Sequence, residues 1–154
     1  MDLKDILSLE AIRTSVKVQS KKRLLQDISE HAAACYGLDA DAVCAALTER
    51  ETLGPTGVGH GVAIPHARLA EVQRVCGLFT SLDGPVDFTA VDRKPVDLVF
   101  TLLAPKGAGA EHLKALARVS RTLRDPSICT KLRSTDDTNA VFAVLIDEAA
   151  TKAA

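Results

Sequence analysis

Hydrophobic and polar residues follow two periods along this chain, one typical of helices and one typical of strands. Five segments repeat an apolar residue every three or four positions, which predicts helices over 21–36, 39–51, 110–123, 125–132 and 136–146. Shorter apolar or alternating runs predict strands over 12–18, 62–64, 75–82, 86–88 and 96–103, with turns at 83–85 and 92–95. This mixture indicates a single α/β domain over 3–147, with a disordered tail over 148–154.

The first two predicted helices have clear starting points, and the second carries a charge on its inner face. Ser20 is a suitable N-cap for the first helix, and Asp39 opens the second. Arg50 has the spacing of the apolar face that includes Val43 and Leu47. A guanidinium on such a face is costly unless it is paired or directed at an anion. Arg50 is therefore a candidate anion-binding residue.

The segment 54–69 is the candidate centre of the chemistry. Three alternating glycines between 57 and 61 allow positive φ or close contact with another group. The apolar run 62–64 predicts a buried strand that stops at Pro65, which lacks an N–H. His66 would then lie where a strand ends and a loop begins, a rigid position for a reactive side chain. The alternative is a turn histidine that points to solvent.

His112 is a second candidate, in the first turn of the 110–123 helix. It has the spacing of the edge of a stripe predicted to face inward, which comprises Leu113, Leu116, Ala117, Ser120 and Leu123. A helix N-terminus disfavours an imidazolium and suits a phosphate or carboxylate. A neutral imidazole there could donate a hydrogen bond to an oxyanion or act as a nucleophile. A half-buried histidine that satisfies a loop carbonyl is an equally open interpretation.

The remaining histidines give weaker signals, and no metal site is predicted. His60, between two glycines, could join the site or be an ordinary loop residue, and His31 is expected to be a packing residue at the edge of its helix. A zinc site needs three or four ligands, and neither an acidic residue nor a cysteine lies between His60 and His66. The glycine segment also lacks the Gly-Lys-Ser/Thr of a nucleotide-binding loop.

Composition and charge exclude several classes of partner. A net charge of −1, four Phe, one Tyr and no Trp argue against nucleic-acid binding. No apolar run approaches the roughly 20 residues that span a bilayer, and no signal peptide is recognisable, so we expect no membrane insertion and a cytoplasmic protein. The four cysteines form no Cys-x-x-Cys pair, which favours free thiols.

The segment 54–66 reads Gly-Pro-Thr-Gly-Val-Gly-His-Gly-Val-Ala-Ile-Pro-His. It closely resembles the active-site signature of enzyme IIA proteins of the fructose/mannitol family in the bacterial phosphotransferase system. Within that family the chain looks most like the nitrogen-related, regulatory IIA. The resemblance extends over about 3–146 through Ser20–Arg23, Glu49–Glu51, Phe88–Asp92, Pro95–Leu98, His112–Leu113 and Asp125–Cys129.

The resemblance implies a fold and a set of site residues. The fold would be the mannitol-type IIA fold, a mixed β-sheet with helices packed on both sides. The phosphoryl-accepting histidine of the family falls on His66, its second histidine on His112 and its arginine on Arg50. The glycine loop, with Thr56, Gly57, Gly59 and His60, would contribute backbone N–H groups to the phosphoryl pocket. His60 departs from the small polar residue, such as Asn, that the family leads us to expect.

The resemblance also implies the partners. The donor would be a small HPr-like phosphocarrier protein, and neither a cofactor nor a metal is needed because the donor is already a phosphohistidine. Three interpretations stay open: a regulatory phosphocarrier that acts on target proteins, a sugar-specific IIA that passes phosphate to a separate IIB, and an interaction module that is never phosphorylated. The third is disfavoured, because such a module would not need His66, His112 and Arg50 together.

Overall fold

A mixed sheet of six strands forms the centre of the computed structural model, which describes residues 1–147. The strands are β1 (Ile12–Val16), β2 (Gly57–Gly59), β3 (Val62–Ala63), β4 (His66–Leu69), β5 (Cys76–Val86) and β6 (Val96–Pro105). Their order is β1-β5-β6-β3-β2, and β4 also pairs with β6. The β5–β6 and β2–β3 pairs are antiparallel, whereas β1–β5, β3–β6 and β4–β6 are parallel.

Within residues 1–147, five α-helices surround the sheet, and local sequence sets where most of them begin. They are α1 (Lys21–Tyr36), α2 (Ala40–Thr52), α3 (Gly109–Arg124), α4 (Pro126–Arg133) and α5 (Thr138–Ile146). The side chains that cap their N-termini, by accepting hydrogen bonds from first-turn N–H groups, belong to Ser20, Asp39, Asp125 and Asp137. The helix α3 has no such cap, because Ala108 precedes it.

One continuous apolar core joins the sheet to the helices, which matches the fold class predicted from the sequence. Its largest fully buried side chains include Phe79, Phe88 and Phe100. The helix α1 packs against α2, and α4 packs against both α3 and α5. Within residues 1–147, no helix combines the length and the apolar character that a membrane span requires. The predicted tail, 148–154, lies outside the described residues.

The chain next to Pro65 corrects the expectation that His66 begins a loop. The strands β3 and β4 lie one after the other along β6, where Ala63 is opposite Val99 and His66 is opposite Leu102. Pro65 cannot donate a hydrogen bond, but its carbonyl still accepts one from the N–H of Leu102 at 2.9 Å. The pairing with β6 therefore resumes, and His66 is the first residue of a strand.

Three other expectations were wrong, and one of them is the separate strand over 86–88, of which only Val86 lies in a strand, as the last residue of β5. The segment 83–85, expected to be a turn, lies within β5, where the register with β6 shifts between Ser81 and Val86 and the three residues are exposed. On α3 the buried side chains are His112, Ala115, Val119, Thr122 and Leu123, so the inward face differs from the predicted stripe. Leu113, expected to face inward, is 63% exposed.

Candidate active site

A cavity of about 450 Å³ brings together the three residues expected to carry the chemistry. Arg50 in the last turn of α2, His66 at the start of β4 and His112 in the first turn of α3 all line it. The exposed side chains of Leu53 and Leu113 lie at the same cavity. Contacts of α2 with β4 and of α3 with β6 hold the three elements in place.

The two ring nitrogens of His66 have different partners, and these assign its tautomer. Nδ1 lies 2.8 Å from the carbonyl oxygen of Ile64, which can only accept a hydrogen bond. Nε2 lies 3.2 Å from Nε of Arg50, which can only donate. The neighbours therefore assign the proton to Nδ1 and a lone pair to Nε2. A neutral ring with an unprotonated Nε2 can act as a nucleophile.

The surroundings of His66 favour that neutral form. Burial of the half-exposed ring lowers its pKa below the ordinary histidine value, although the hydrogen bond to the Ile64 carbonyl opposes the change. The positive charge of Arg50 lowers the pKa further. Arg50 is itself held in place, because its Nη1 donates to the carbonyl of Gly54 at 2.9 Å.

His112 lies beside His66 and is also neutral near pH 7. The ring centroids are 5.5 Å apart with an interplanar angle of 52°. Burial, followed by the effects of His66 and Arg68, lowers the pKa of His112 to about 4. The side chain is 4% exposed, and among the described residues its Nδ1 has no hydrogen-bond partner. One face of the cavity thus consists of two uncharged imidazoles.

Arg68 is a cavity residue that the sequence analysis missed. It lies two positions after His66 on β4, so the alternation of a strand places both side chains on the same face. Within residues 1–147 its side chain forms no hydrogen bond or ion pair, and its charge lowers the pKa of both histidines. The two-residue spacing could have revealed it, but only if the chain after Pro65 had been predicted as a strand.

The loop residues Thr56, Gly57, Gly59 and His60 do not line this cavity, so a direct contact of theirs with the phosphoryl group stays a prediction. Thr56 is buried and hydrogen bonds with Glu51, and Gly57 lies in β2 against Ala90. Gly59 and His60 belong to the β2–β3 hairpin, whose position Asp92 and Arg133 fix through main-chain hydrogen bonds to His60. Within the described part of the chain, no group of three His, Cys, Asp or Glu side chains could hold a metal ion.

Comparison with known proteins establishes the class of protein. Residues 5–148 match the family described as the phosphoenolpyruvate-dependent sugar phosphotransferase system, EIIA 2, and the chain belongs to this family. The resemblance seen in the sequence is therefore confirmed.

The relatives point to one branch of this family. A nitrogen regulatory protein of Bradyrhizobium diazoefficiens is 50% identical over 153 residues, which cover 99% of this chain and 100% of that protein. The crystal structure of the nitrogen regulatory protein IIA-Ntr from Neisseria meningitidis has a TM-score of 0.87 and 39% identity, and the match covers 92% of this chain and 97% of that one. The mannitol IIA of Escherichia coli, at 23% identity and a TM-score of 0.78 over 90% of this chain and 98% of its own, shares the fold.

Proposed function

We propose that this protein is a cytoplasmic histidine phosphocarrier of the nitrogen-related phosphotransferase system. It accepts a phosphoryl group on His66 from an HPr-like protein and regulates partner proteins through its phosphorylation state. The observation that carries the proposal is the tautomer of His66, which leaves a lone pair on Nε2 beside the guanidinium of Arg50. Membership of the EIIA family supports a role as a phosphotransferase component.

The transfer requires no external base. The Nε2 lone pair attacks phosphorus in line, the Nε2–P bond forms, and the N–P bond of the donor phosphohistidine breaks. If the donor ring carries a proton on its other nitrogen, it leaves as neutral imidazole, and His66 becomes the positively charged phosphorylated ring. The Nδ1 proton of His66 stays hydrogen bonded to the carbonyl of Ile64, whose oxygen stabilises that charge.

The neighbouring side chains stabilise the phosphoryl oxygens as phosphorus approaches. An N–H of Arg50 that points at Nε2 in the resting state turns to a phosphoryl oxygen, since guanidinium binds such oxygens well. His112, neutral and nearly buried, donates one hydrogen bond from its ring without a competing charge. Arg68 adds positive charge at the cavity.

Phosphorylation changes the surface that a partner contacts. The group adds roughly −2 charge at the cavity. Leu53 and Leu113 at this cavity are 81% and 63% exposed, so two apolar side chains lie near the new charge. A partner that buries both leucines against an apolar surface would bind the uncharged state more tightly, because a buried unpaired charge is costly.

The test is intact-mass spectrometry after incubation with phosphoenolpyruvate, enzyme I and an HPr-like carrier. We expect one acid-labile phosphoryl addition to the wild type and to His31→Gln, whose histidine bonds to the Glu10 carbonyl and does not line the cavity. We expect none on His66→Ala. An unlabelled wild type, beside a labelled control IIA, would contradict the proposal. Transfer of the label to an added IIB protein would instead indicate a sugar-specific IIA.

A further inference from the structure

A nearly buried carboxylate, Glu51, follows Arg50 at the end of α2, and it does not line the cavity. Its side chain is 6% exposed. Oε1 accepts a hydrogen bond from the hydroxyl of Thr56, and Oε2 accepts one from the N–H of the same residue at 3.3 Å. Glu51 therefore fixes Thr56 at both its side chain and its main chain.

The carboxylate is itself fixed by an ammonium whose three donors all have acceptors. Nζ of Lys21, in the first turn of α1, lies 2.7 Å from Oε2 of Glu51. It also donates to the Phe88 carbonyl at 3.2 Å and to the hydroxyl of Thr89 at 2.9 Å, and it lies 4.6 Å from the centroid of the Phe88 ring. A lysine with this many partners has one position, so the ion pair is a rigid support rather than a mobile surface pair.

Two further hydrogen bonds connect Thr56 to the reactive imidazole. The Thr56 carbonyl accepts from the N–H of Ile64 at 2.9 Å. The Ile64 carbonyl in turn accepts from Nδ1 of His66 at 2.8 Å. The position of the Ile64 main chain thus determines whether the Nδ1 proton has an acceptor, and with it which ring nitrogen keeps a lone pair.

We propose that Glu51 is a positioning residue for His66 and acts through the main chain of Thr56 and Ile64. When Glu51 holds Thr56, the Ile64 carbonyl faces Nδ1 and the tautomer with a free Nε2 is selected. Without the hydrogen bonds between Glu51 and Thr56, the Nε2–H tautomer becomes populated. This form has no lone pair at the nitrogen that attacks. The consequence for phosphoryl transfer rests on the function proposed above, whereas the consequence for the tautomer does not.

The experiment measures the His66 tautomer by imidazole ¹⁵N chemical shifts in the unphosphorylated protein near pH 7. The main variants are Glu51→Ala, which removes both acceptors, and Glu51→Gln, which removes the charge alone. The Gln carbonyl can accept from Thr56 N–H and Lys21, while its NH₂ can donate to the Thr56 hydroxyl oxygen. Glu30→Ala is the matched control, because Glu30 is exposed and its side chain has no hydrogen bond or ion pair within residues 1–147.

We expect the wild type, Glu30→Ala and Glu51→Gln to show one protonated nitrogen, Nδ1, and one bare nitrogen, Nε2. Glu51→Ala should shift both resonances towards the average of the two tautomers. If Glu51→Ala retains the wild-type shifts, the proposal is wrong. If Glu51→Gln shifts as far as Glu51→Ala, Glu51 acts through its charge and not through position, and the proposal is equally wrong.

Thr56→Val gives an independent test if Glu51→Ala does not fold. This variant keeps the N–H bond to Glu51 and loses only the hydroxyl bond, so a smaller shift in the same direction is expected. Unchanged shifts in a folded Thr56→Val would overturn the proposal.

The rate of labelling by the HPr-like carrier supplies a second readout. Glu51→Ala should be slower by roughly 10-fold to 100-fold, since misplacement of a reacting group by about 1 Å can cost 10²-fold. Glu51→Gln should restore most of the rate. A protein that is never labelled would contradict the proposed function while leaving the tautomer result interpretable.

Discussion

His60 and His66 lie in the same glycine-rich segment, yet their surroundings differ in almost every respect. His66 is half-buried, both of its ring nitrogens have partners, and it lines a cavity with Arg50. His60 is exposed and has a φ of 57°, and its hydrogen bonds with Asp92 and Arg133 involve only its main chain. For His66 the ring is the important part, whereas for His60 it is the backbone.

The difference separates two tasks within one sequence signature. The β2–β3 hairpin supports the site through packing, and β4, which begins at His66, positions the proposed phosphoryl acceptor. Substitutions near His66 should therefore slow phosphoryl transfer with little loss of stability. Substitutions in the hairpin should lower stability and leave the chemistry of the folded fraction intact.

Among the cavity residues that surround His66, Arg50 should produce the largest effect on phosphoryl transfer when it is removed. We expect Arg50→Ala to slow labelling by the HPr-like carrier roughly 10²-fold to 10³-fold, the usual cost of one lost anion donor. The free energy of unfolding should fall by only about 1 kcal/mol, for the lost bond to the Gly54 carbonyl. Labelling reactions stopped at successive times measure the rate, and urea unfolding measures the free energy of unfolding. Arg121→Ala, an exposed arginine of α3, is the control, and equal rates for both variants would contradict a role in transfer.

Gly57→Ala tests whether the β2–β3 hairpin contributes to stability through packing. A Cβ at Gly57 would lie 2.8 Å from Cβ and 2.9 Å from Cα of Ala90, so the segments that contain these two residues would have to move apart. We expect a loss of about 1–3 kcal/mol in the free energy of unfolding, with the folded fraction still labelled.

Gly84→Ala is the matched control, because a Cβ there meets no atom within 4 Å. It should be neutral or slightly stabilising. A Gly57→Ala protein that is stable yet not labelled would indicate that the hairpin contacts the phosphoryl group directly.

The buried histidine of the cavity should make stability depend on pH. The pKa of His112 is about 4 in the folded protein and 6.5 in the reference state, so between these values the unfolded chain binds more protons. The contribution of neutral His112 to stability is then fully present above pH 6.5 and declines as the pH falls towards 4. We expect His112 to contribute a loss of roughly 1–2 kcal/mol between pH 7 and pH 5. Urea unfolding at both pH values should show that the free energy of unfolding falls less in His112→Gln than in the wild type. An equal fall in the two proteins would refute the argument from burial of His112.

His60→Asn should have the smallest effect. Asn tolerates a left-handed backbone and keeps the N–H and carbonyl that Asp92 and Arg133 bind. We expect the free energy of unfolding to change by no more than about 0.5 kcal/mol and the labelling rate to stay the same. A tenfold slower rate would show that the ring of His60 takes part in the reaction.

The sequence predicts the parts of this structure that depend on local pattern. The helix cap at Ser20, the start of the second helix beside Asp39 and the inward position of Arg50 follow from residue type and spacing. His66, His112 and Arg50 were expected to act together, and they do share one cavity. Their roles in phosphoryl transfer stay predictions.

The features that the sequence did not predict depend on partners that are distant along the chain. His66 lies in a strand only because β6 pairs with the chain beyond Pro65, and that strand also brings Arg68 to the cavity. The support by Glu51 depends on Lys21 of another helix. The inward face of α3 was misassigned because Leu113 lies at the cavity instead of in the core.

The strand order also determines when the site can form during synthesis. The antiparallel pair β5–β6 is local in sequence, whereas β4 must wait for β6, which is synthesised later. Non-local parallel pairing forms slowly, because a loop must close before the contacts contribute. His112 belongs to α3, which follows β6. A nascent chain that ends before β6 would therefore contain His66 without both the pairing strand and the second histidine that complete its surroundings.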